Sequence, residues 1–495
     1  MNLTAQLDNL RADPDLAFLH AFSPDHVYLV GGAVRDWLLE RETKDLDFLV
    51  VGLSPAEVVA TLEQHGRVLP VESRAFGVFK FTPRDSATIY EVALPRRDTW
   101  TGLRYQDMTA EVGVSLAEDL ARRDFTINAL ALSLTGELVD EYAGQEDLQA
   151  RRLRAVGDPT ARFLEDPSRI LRGLRLACEL DFTLEPATAQ AMRDLAAEVV
   201  RPLATGEPRV AEEVVAAEFL RGFHAQPARL VRLWAETGLL ALLLPEVAAL
   251  ADTPQPGQFH SEGGVGAHTL LALEELRELE RGAVEVLCAV PLQPATLHAQ
   301  LAVLLHDVGK PPTIQHPTEP GGRIRFPAHD GAGGDLAGAI VDRLRLTVFP
   351  REDPLHVDRE HLIFLIRHHM LCAGFDAERI KLTTLERIFF TPEERGGELL
   401  ALTWADISAT VPPSGQPDYR CFRQLVAKIN ELAEVLHARR EQRPLPHLLT
   451  GTEIMAATGL PAGPEIGRLK ETLRGLQLRG ELHDAEEARA WLRGR

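Results

Sequence analysis

Acidic side chains at a two-residue spacing are the first residues whose types and positions could do chemistry. In KDLDFLVV, Asp45 and Asp47 follow the alternation of a β-strand, so we expect both carboxylates on one face and Leu46 turned to the core. Glu91 in TIYEVALP is the best candidate for a third carboxylate, because Ile89 and Ala93 share its face. Mg²⁺ takes hard oxygen ligands and keeps positions for water and phosphate. The set predicts a Mg²⁺ site that handles a nucleotide; the alternative for Glu91 is a solvated strand position.

A glycine turn precedes these carboxylates in LVGGAVRDWLLE. We expect a strand to end at Val30, Gly31 and Gly32 to turn the chain, and a helix to follow. Backbone N–H groups and the helix dipole would then face whatever lies on the turn, with Arg35 one turn into the helix as a further cation. This geometry suits a triphosphate, although an ordinary tight connection between strand and helix has the same sequence.

Two later segments combine arginine with acidic or amide side chains. The segments are DLARRDFTINALAL and EDPSRILRGLRLA, and the residues of interest are Arg122, Asp124, Asn128, Asp166, Arg169, Arg172 and Arg175. The last three arginines are spaced to progress along one side of a helix that starts near Pro167. A capping role explains Asp166, but packing does not explain the arginines, since Ile170 and Leu174 already supply an apolar face. Surface ion pairs are the alternative interpretation.

Histidine and aspartate recur on successive predicted helices in the middle of the chain. These residues are His268, His306, Asp307, His329, His369 and Asp406. Imidazole and carboxylate together suit a divalent transition metal ion. A lone histidine on a helix is more often a surface residue, but the adjacent His306 and Asp307 end an apolar run and are followed by Gly309 and Lys310.

The elements that must position these residues change character along the chain. Before residue 150, strand and helix patterns mix, and from about 160 onward a three-to-four spacing predicts almost only helices. Proline and glycine break this spacing at 252–264, 317–334 and 410–417. We predict an α/β head with a mixed sheet and helices, followed by a mainly α-helical body. The predicted domains are an α/β head (1–150), a helical segment (151–250), a helical metal-binding domain (251–415) and a helical tail (416–495).

Composition restricts the class of protein. The 495 residues carry a net charge of −20, so a nucleic acid partner would need a local basic surface. Residues 151–175 supply one, with seven arginines against three acidic residues, and this predicts strong salt sensitivity. The four cysteines form no CxxC pair, and no apolar run approaches the length of a membrane span. We therefore expect a cytoplasmic protein without a membrane anchor.

Five motifs in order carry a resemblance to a known family. GGAVRD, DLD, RRDFTINA, DEYAGQEDL and EDPSRILR occur in the order typical of the class II tRNA nucleotidyltransferase and bacterial poly(A) polymerase family. This resemblance implies a nucleotidyltransferase head in which Asp45 and Asp47 hold catalytic Mg²⁺. It also implies that Gly32 and Arg35 contact the triphosphate and that Arg122 and Asp124 lie beside the sugar and base.

The resemblance also implies a reaction. Asp166 and Arg169 would select the base of CTP or ATP as a protein template, and the tRNA 3′ end would receive CCA with release of pyrophosphate. Segment 95–115 corresponds to the loop that such enzymes use when they switch from C to A, which favours complete CCA addition. Addition of CC only, of A only, or of poly(A) tracts stays open, because those enzymes share every motif. The resemblance further implies that residues 151–250 form a neck that binds nucleotide and RNA and that the tail binds tRNA.

The histidine and aspartate set resembles the HD phosphohydrolase superfamily. This second resemblance implies that His268, His306, Asp307 and Asp406 ligate a metal ion, with His329 and His369 as further ligands or proton shuttles. The ion would be a transition metal or Mg²⁺, and the implied activity is that of a phosphatase or 2′,3′-cyclic phosphodiesterase on RNA ends. One alternative is a domain that only supports tRNA binding. Another is a protein that is mainly a phosphohydrolase with a degenerate head, which is disfavoured because no head carboxylate is missing.

Overall fold

The computed structural model describes residues 3–43, 46–70, 76–100, 108–203, 205–283, 286–319, 322–372, 380–437 and 446–494. The chain forms two compact units, Met1–Leu243 and Leu244–Arg495. No helix in the described ranges combines the length and apolar character needed to cross a bilayer.

The first unit contains a mixed sheet built from short apolar strands. The strands in the described part of the chain are β1 (Val27–Val30), β2 (Asp47–Val50), β3 (Gly66–Val68), β4 (Val78–Pro83), β5 (Tyr90–Ala93), β6 (Arg96–Trp100), β7 (Met108–Val112), β8 (Ala131–Ser133), β9 (Leu138–Val139), β10 (Arg152–Leu153) and β11 (Thr183–Leu184). Over the described residues, seven of them form one sheet in the order β3-β4-β5-β2-β1-β8-β9. The pair β2 and β5 is parallel, and the neighbouring pairs in this sheet are antiparallel. Leu29, Phe48 and Val50 are fully buried.

Helices cover this sheet and continue beyond it. Those of the first unit are α1 (Leu3–Ala12), α2 (Gly32–Leu38), α3 (Pro55–His65), α4 (Leu116–Ala121), α5 (Gly144–Gln149), α6 (Pro159–Glu165), α7 (Ser168–Leu180), α8 (Pro186–Leu195), α9 (Ala197–Val200), α10 (Glu212–Ala225), α11 (Pro227–Thr237) and α12 (Leu239–Leu243). A capping box at Ser115 and Glu118 starts α4, which leads into the first arginine segment. In the helical part, Phe219 on α10 packs against Phe223 and against Trp234 on α11.

The described residues of the second unit form helices and connecting segments, with an isolated β-bridge between Gln315 and Arg325. Its helices are α13 (Pro245–Ala248), α14 (Val265–Glu280), α15 (Leu297–Leu305), α16 (Lys310–Thr313), α17 (His329–Arg343), α18 (Arg359–His368), α19 (Leu382–Phe389), α20 (Glu393–Ala409), α21 (Arg420–His437), α22 (Gly451–Thr458), α23 (Pro464–Leu478) and α24 (Ala485–Arg493). Helix α15 is almost entirely apolar, and Leu301, Ala302 and Val303 are fully buried. A helix that is mostly apolar lies inside the fold. The buried position of α15 therefore places His306, at its carboxy-terminal end, in the interior as well.

The predicted fold class is confirmed, since a mixed-sheet head precedes a mainly helical body. The structure adds a two-stranded sheet of β6 with β7 and a parallel pair of β10 with β11. Helical periodicity after about residue 160 did not predict β11. Its partner β10 lies 31 residues earlier, with Arg152 opposite Thr183, so a local pattern holds no trace of the pairing.

Candidate functional site

Two of the predicted head carboxylates lie side by side on neighbouring strands. Strand β2 begins at Asp47, which is in parallel register with Glu91 on β5, and both residues are exposed. Lys80 on β4 is opposite Glu91, with 3.6 Å between its Nζ and Glu91 Oε1. Asp45 lies outside the described residues. Two carboxylates on one face of adjacent strands are hard oxygen donors, so the residues present fit Mg²⁺.

The glycine turn lies at the amino-terminal end of α2. Gly31 has a φ of 71°, and a Cβ there would lie 2.9 Å from Nη1 of Arg123. Glycine is therefore favoured at Gly31 for its backbone conformation, and a Cβ there would also displace the Arg123 guanidinium. Gly32 begins α2, so the N–H groups of the first helical turn point toward the turn, as the sequence predicts.

A chain of hydrogen bonds joins three of the sequence motifs. Arg35 donates from Nη1 to Asn128 Oδ1 at 2.8 Å, and the Asn128 amide donates to Asp124 Oδ1 at 3.0 Å. Arg172 donates from Nε to the other oxygen of Asp124 at 2.5 Å. Burial would raise the pKa of Asp124, but the charge of Arg172 and the hydrogen bonds from Asn128 and the Phe125 N–H together outweigh it and lower that pKa. The structure therefore brings together Arg35, Asp124, Asn128 and Arg172.

Asp119 lies beneath the first arginine segment, and sequence reasoning missed it. Its carboxylate is fully buried and accepts hydrogen bonds from Arg122 and Arg123, with 2.6 Å and 3.0 Å to their Nη2 atoms. It also accepts from the backbone N–H of Arg96 at 3.2 Å. Burial would raise the pKa of Asp119, but the two arginines lower it overall. The signal was present, since an acid three and four residues before two arginines on a helix is placed to pair with both.

The predicted base-reading pair lies at the start of α7. Asp166 Oδ1 accepts from the N–H and hydroxyl of Ser168, at 3.0 and 2.6 Å. Arg169 donates to the backbone oxygen of Arg122 at 3.1 Å and pairs with Glu165 at 2.8 Å. Asp166 thus has the capping contacts that the sequence allows, and Arg169 joins α7 to the first arginine segment.

Arg175 differs from its neighbours in the arginine row. Its side chain is buried and pairs with Glu218 on α10 and Glu179 on α7, each at 2.5 Å. The Arg175 guanidinium therefore forms ion pairs within α7 and between α7 and α10, and these pairs stabilise the packing of the two helices. The structure does not place it in the hydrogen-bonded chain that contains Arg172.

The second group of predicted residues meets in the second unit. His268 on α14 lies 3.0 Å from Asp406 on α20, measured from Nε2 to Oδ1. His306, at the end of α15, lies 3.2 Å from Asp307 and 3.8 Å from Asp406. These four side chains come from two helices, α14 and α20, and from the carboxy-terminal end of α15, and all are buried except Asp406, which is partly buried.

His329 and His369 lie on the other side of Asp307. Their Nε2 atoms are 3.6 and 4.0 Å from Asp307 Oδ1 and 3.2 Å from each other. Asp307 Oδ2 faces His306, so this one carboxylate stands between the two histidine groups. Lys310 Nζ also lies 2.6 Å from Oδ2. A carboxylate that faces two ligand groups can bridge a pair of divalent ions.

Backbone carbonyls orient the histidine rings. Nδ1 of His306, His329 and His369 donates to the carbonyl oxygens of Val303, Phe326 and Ile366, at 2.8, 2.9 and 2.6 Å. Each ring therefore turns its Nε2 lone pair inward, as metal-bound histidines do. Nε2 of His306 has no hydrogen-bond partner among the described residues, although it is buried. An unpaired buried nitrogen beside two carboxylates fits a metal ion.

Electrostatics at this group also favours a bound cation. Burial and the nearby His306 lower the pKa of His369 to about 4, so its ring is neutral and can act as a ligand. Burial would raise the pKa of Asp406, but the hydrogen bond from His268 and the charge of His306 hold it well below its usual range. His268 differs, because burial would lower its pKa but the hydrogen bonds to Asp406 and Glu262 outweigh burial and raise that pKa to about 9. Its ring therefore holds a proton at neutral pH, which an ion bound at Nε2 would displace.

Two features beside these ligands were missed by sequence reasoning. Glu262 accepts from Nδ1 of His268 at 3.1 Å and from His260 at 2.7 Å, so it orients His268. A cavity of about 700 Å³ opens over the group. Its lining includes Asp307, His329, His369 and Asp406 together with the cationic residues Lys310, Arg323 and Arg325. These three cationic residues lie between Asp307 and His329 in the sequence, but no short motif identifies them as part of a binding site.

Comparison with known proteins gives a consistent result. Residues 27–154 match the family described as the poly(A) polymerase head domain. A multifunctional CCA protein of Acidovorax sp. (strain JS42) is 38% identical over 344 residues, which cover 68% of this chain and 72% of that protein. A multifunctional CCA protein of Halorhodospira halophila is 37% identical over 341 residues, covering 68% and 73%.

Solved structures show the same fold. The Bacillus stearothermophilus CCA-adding enzyme in complex with CTP aligns with a TM-score of 0.59 at 24% identity, covering 95% of this chain and 93% of that one. The Thermotoga maritima CCA-adding enzyme complexed with tRNA aligns with a TM-score of 0.57 at 19% identity, covering 99% and 97%. The head fold, the ordered motifs and the identity to the curated relatives agree, and the chain belongs to the CCA-adding tRNA nucleotidyltransferase family.

Proposed function

We propose that this chain adds C and A nucleotides from CTP and ATP to the 3′ end of tRNA, without a nucleic acid template. The observation that carries this proposal is the hydrogen-bonded chain from Arg35 through Asn128 and Asp124 to Arg172, together with Asp47 and Glu91 in register on adjacent strands. The hydrogen-bonded chain offers arginine cations to a triphosphate, and the adjacent strands β2 and β5 offer carboxylates to a metal ion. Relatives named multifunctional CCA proteins support the same reaction.

The roles follow from the positions of the side chains. Asp45, Asp47 and Glu91 would hold Mg²⁺, which when bound lowers the pKa of the RNA 3′-hydroxyl and offsets the charge of the triphosphate. The N–H of Gly32 at the start of α2 and the Arg35 guanidinium bind the phosphates. Gly31 shapes the turn, since its own N–H donates to the Leu130 carbonyl oxygen at 3.2 Å.

The base is selected on the other side of this network. Arg122 and Asp124 lie beside the sugar and base, Arg172 fixes Asp124, and Asp166 with Arg169 reads the base edge. To do so, Asp166 must exchange its contact with Ser168 for the nucleotide. The RNA binds the neck, 151–250, and the tail, 416–495. We place the reaction in the cytoplasm, an assignment that the four free cysteines support.

One experiment separates the candidate products. A tRNA that lacks its CCA end is incubated with Mg²⁺ and with CTP, ATP or both, and the product length is read on a sequencing gel. We expect two added residues with CTP alone and three with both nucleotides. CCA addition would be refuted by any of three results. Products that stop at CC indicate a CC-adding enzyme, products with A only indicate an A-adding enzyme, and long A tracts on any RNA indicate a poly(A) polymerase.

A second activity is favoured by the histidine and aspartate group. We propose that His268, His306, Asp307 and Asp406 hold one divalent ion and that His329 and His369 share Asp307 with a second. The unpaired Nε2 of His306 carries this proposal. The reaction is hydrolysis of a phosphate ester at an RNA end, in which water supplies the new oxygen on phosphorus and one P–O bond breaks.

The cavity explains how an RNA end would be held. Lys310, Arg323 and Arg325 offer positive charge to the phosphate, and Phe326 offers an aromatic face. The test is release of 3′- or 2′-phosphate product, and then of inorganic phosphate, from a dinucleotide that ends in a 2′,3′-cyclic phosphate, with Ni²⁺ or Mg²⁺. We expect release by the full chain and none by Asp307→Ala. Absence of release with every ion tested would leave this domain with an RNA-binding role only.

A further inference from the structure

A second cluster of metal-ligand residue types lies on three of the helices that carry the histidine and aspartate group. His298 on α15, His361 on α18 and Glu398 on α20 each offer one ligand atom, and these three atoms lie within 4.8 Å of one another. The rings of His298 and His361 stack at 4.5 Å, with an angle of 17° between their planes. Nothing in the reaction proposed above uses these residues.

The cluster repeats the spacing of the first group. His298 precedes His306 by eight residues, His361 precedes His369 by eight, and Glu398 precedes Asp406 by eight. Since both sets of side chains meet, the three helices must run in the same direction. Eight residues of helix correspond to about 12 Å, so the second cluster lies roughly that far from the first, toward the amino-terminal ends of α15 and α18.

Two atoms of the cluster are buried without hydrogen bonds. His361 Nε2 and Glu398 Oε2 are 2.5 Å apart, but the contact is not aligned as a hydrogen bond, and neither atom has another partner in the described part of the chain. The Glu398 side chain is 4% exposed. A buried carboxylate oxygen and an imidazole nitrogen that face each other unpaired are groups that a cation would satisfy.

We propose that His298, His361 and Glu398 form a second site for a transition metal ion of the Zn²⁺ type, separate from the group around Asp307. Two histidines and one glutamate are a known ligand set for Zn²⁺, which leaves a fourth position for water. His298 and His361 are partly exposed, so an ion and its water can reach the cluster.

The surroundings are compatible with this assignment. Burial and the neighbouring His361 lower the pKa of His298 to about 4, so its ring is neutral and can act as a ligand at physiological pH. His298 Nε2 now accepts the N–H of Asp358 at 2.8 Å. Asp358 caps α18, so its N–H lies at a helix start where water can replace the ring when His298 turns to the ion. The bound ion would tie together the amino-terminal parts of α15, α18 and α20.

The test counts metal ions rather than catalytic turnover. A His306→Ala, Asp307→Ala double variant of the full chain disables the first group, and Co²⁺ binding to it is followed by equilibrium dialysis and by ligand-field absorption in the visible range. We expect this background to retain one equivalent of Co²⁺ that Zn²⁺ displaces, with a higher Tm in the presence of the ion. Adding His361→Ala or Glu398→Gln should abolish that equivalent, and adding His316→Ala, at an exposed histidine, should not.

Either of two outcomes would overturn the proposal: a background variant that binds no Co²⁺, or full Co²⁺ binding by Glu398→Gln. The glutamine variant keeps the shape of the side chain, so it covers the case in which His361→Ala does not fold by circular dichroism. Whether the chain hydrolyses the RNA-end substrate does not affect the Co²⁺ count, because two residues of that site are already replaced in the background variant.

Discussion

The buried carboxylate of Asp119 holds the guanidinium of Arg122 through a single oxygen, Oδ1, which is 2.9 Å from Nε and 2.6 Å from Nη2. The other oxygen holds Arg123, whose Nη1 lies against the glycine turn. One acid without solvent access therefore sets the position of two cations, of which Arg122 is proposed to contact nucleotide and Arg123 lines the turn that would hold phosphate.

Replacing Asp119 by asparagine should therefore affect both stability and nucleotide binding. Asparagine has the same shape but leaves two arginines without their buried counter-charge, a loss that typically costs about 3–5 kcal/mol. We expect a lower free energy of unfolding in urea and a raised KM for CTP and ATP. Unchanged urea stability would show that the arginines find other partners.

Asp47→Ala should abolish incorporation of labelled CTP and ATP while the fold persists. Asp47 is exposed at the start of β2, so we expect its removal to change the free energy of unfolding by no more than about 0.5 kcal/mol. Asp25→Ala, at an exposed acid before β1, is the matched control and should retain full transfer. Substantial transfer by Asp47→Ala would refute the assignment of the carboxylate site.

Arg35→Lys tests the hydrogen-bonded chain of the head. Arginine donates to Asn128 and, through two nitrogens, to Asp36, and an ammonium group cannot reproduce this fork. Loss of one charged hydrogen bond is worth about 1.5–3 kcal/mol, which corresponds to a fall in kcat/KM of roughly tenfold to a hundredfold. Arg41→Lys, at an exposed arginine, should change kcat/KM little. Equal rates in the two variants would exclude a positioning role for Arg35.

Salt should weaken tRNA binding far more than nucleotide binding. The molecule carries a net charge of −20, and RNA is proposed to bind a restricted basic surface at residues 151–175. We expect KM for tRNA to rise at least tenfold between about 50 and 200 mM salt, since each neutralised phosphate releases counterions. KM for CTP, measured in the same titration, should rise less. A salt-independent KM for tRNA would argue against this surface.

His298 should make the metal-free protein less stable in acid. The folded pKa is lowered to about 4, whereas an unfolded histidine titrates near its ordinary 6.5. Protons therefore bind the unfolded chain preferentially in this window, and the free energy of unfolding falls as pH drops from 6.5 toward 4, by up to about 1.4 kcal/mol per pH unit. His298→Gln should flatten this part of the pH profile, measured by urea unfolding after chelation. An identical slope in wild type and variant would contradict the lowered pKa.

The sequence was most informative where the alternation of a strand includes the candidate functional residues. Alternation in LDFLVV and TIYEVALP predicts strands β2 and β5, and hence places Asp47 and Glu91 on strand faces. It does not predict that β2 and β5 are neighbours in parallel register, because that pairing joins segments more than forty residues apart. The adjacency of the two carboxylates was therefore a hypothesis until the sheet order was known.

Buried partners were the hardest residues to predict. Glu262 looks like an ordinary surface acid in the sequence, and the spacing of Asp119 predicts its pairing with two arginines but not its burial, since charge alone does not distinguish an exposed ion pair from a buried one. Arg175 shows the converse, because its spacing with Arg169 and Arg172 indicates a shared face, whereas its carboxylate partners lie on α7 and α10. These assignments depend on the contacts between helices, which a single helical pattern does not contain.

The common direction of α15, α18 and α20 restricts how this chain can change in length. One inserted residue turns the remainder of a helix by about 100°, so an insertion between His298 and His306 would move one of the two side chains off its cluster. The same holds between His361 and His369 and between Glu398 and Asp406. Length variation is instead expected in the connecting segments, so relatives that keep both clusters should keep the three eight-residue intervals even where the surrounding sequence has diverged.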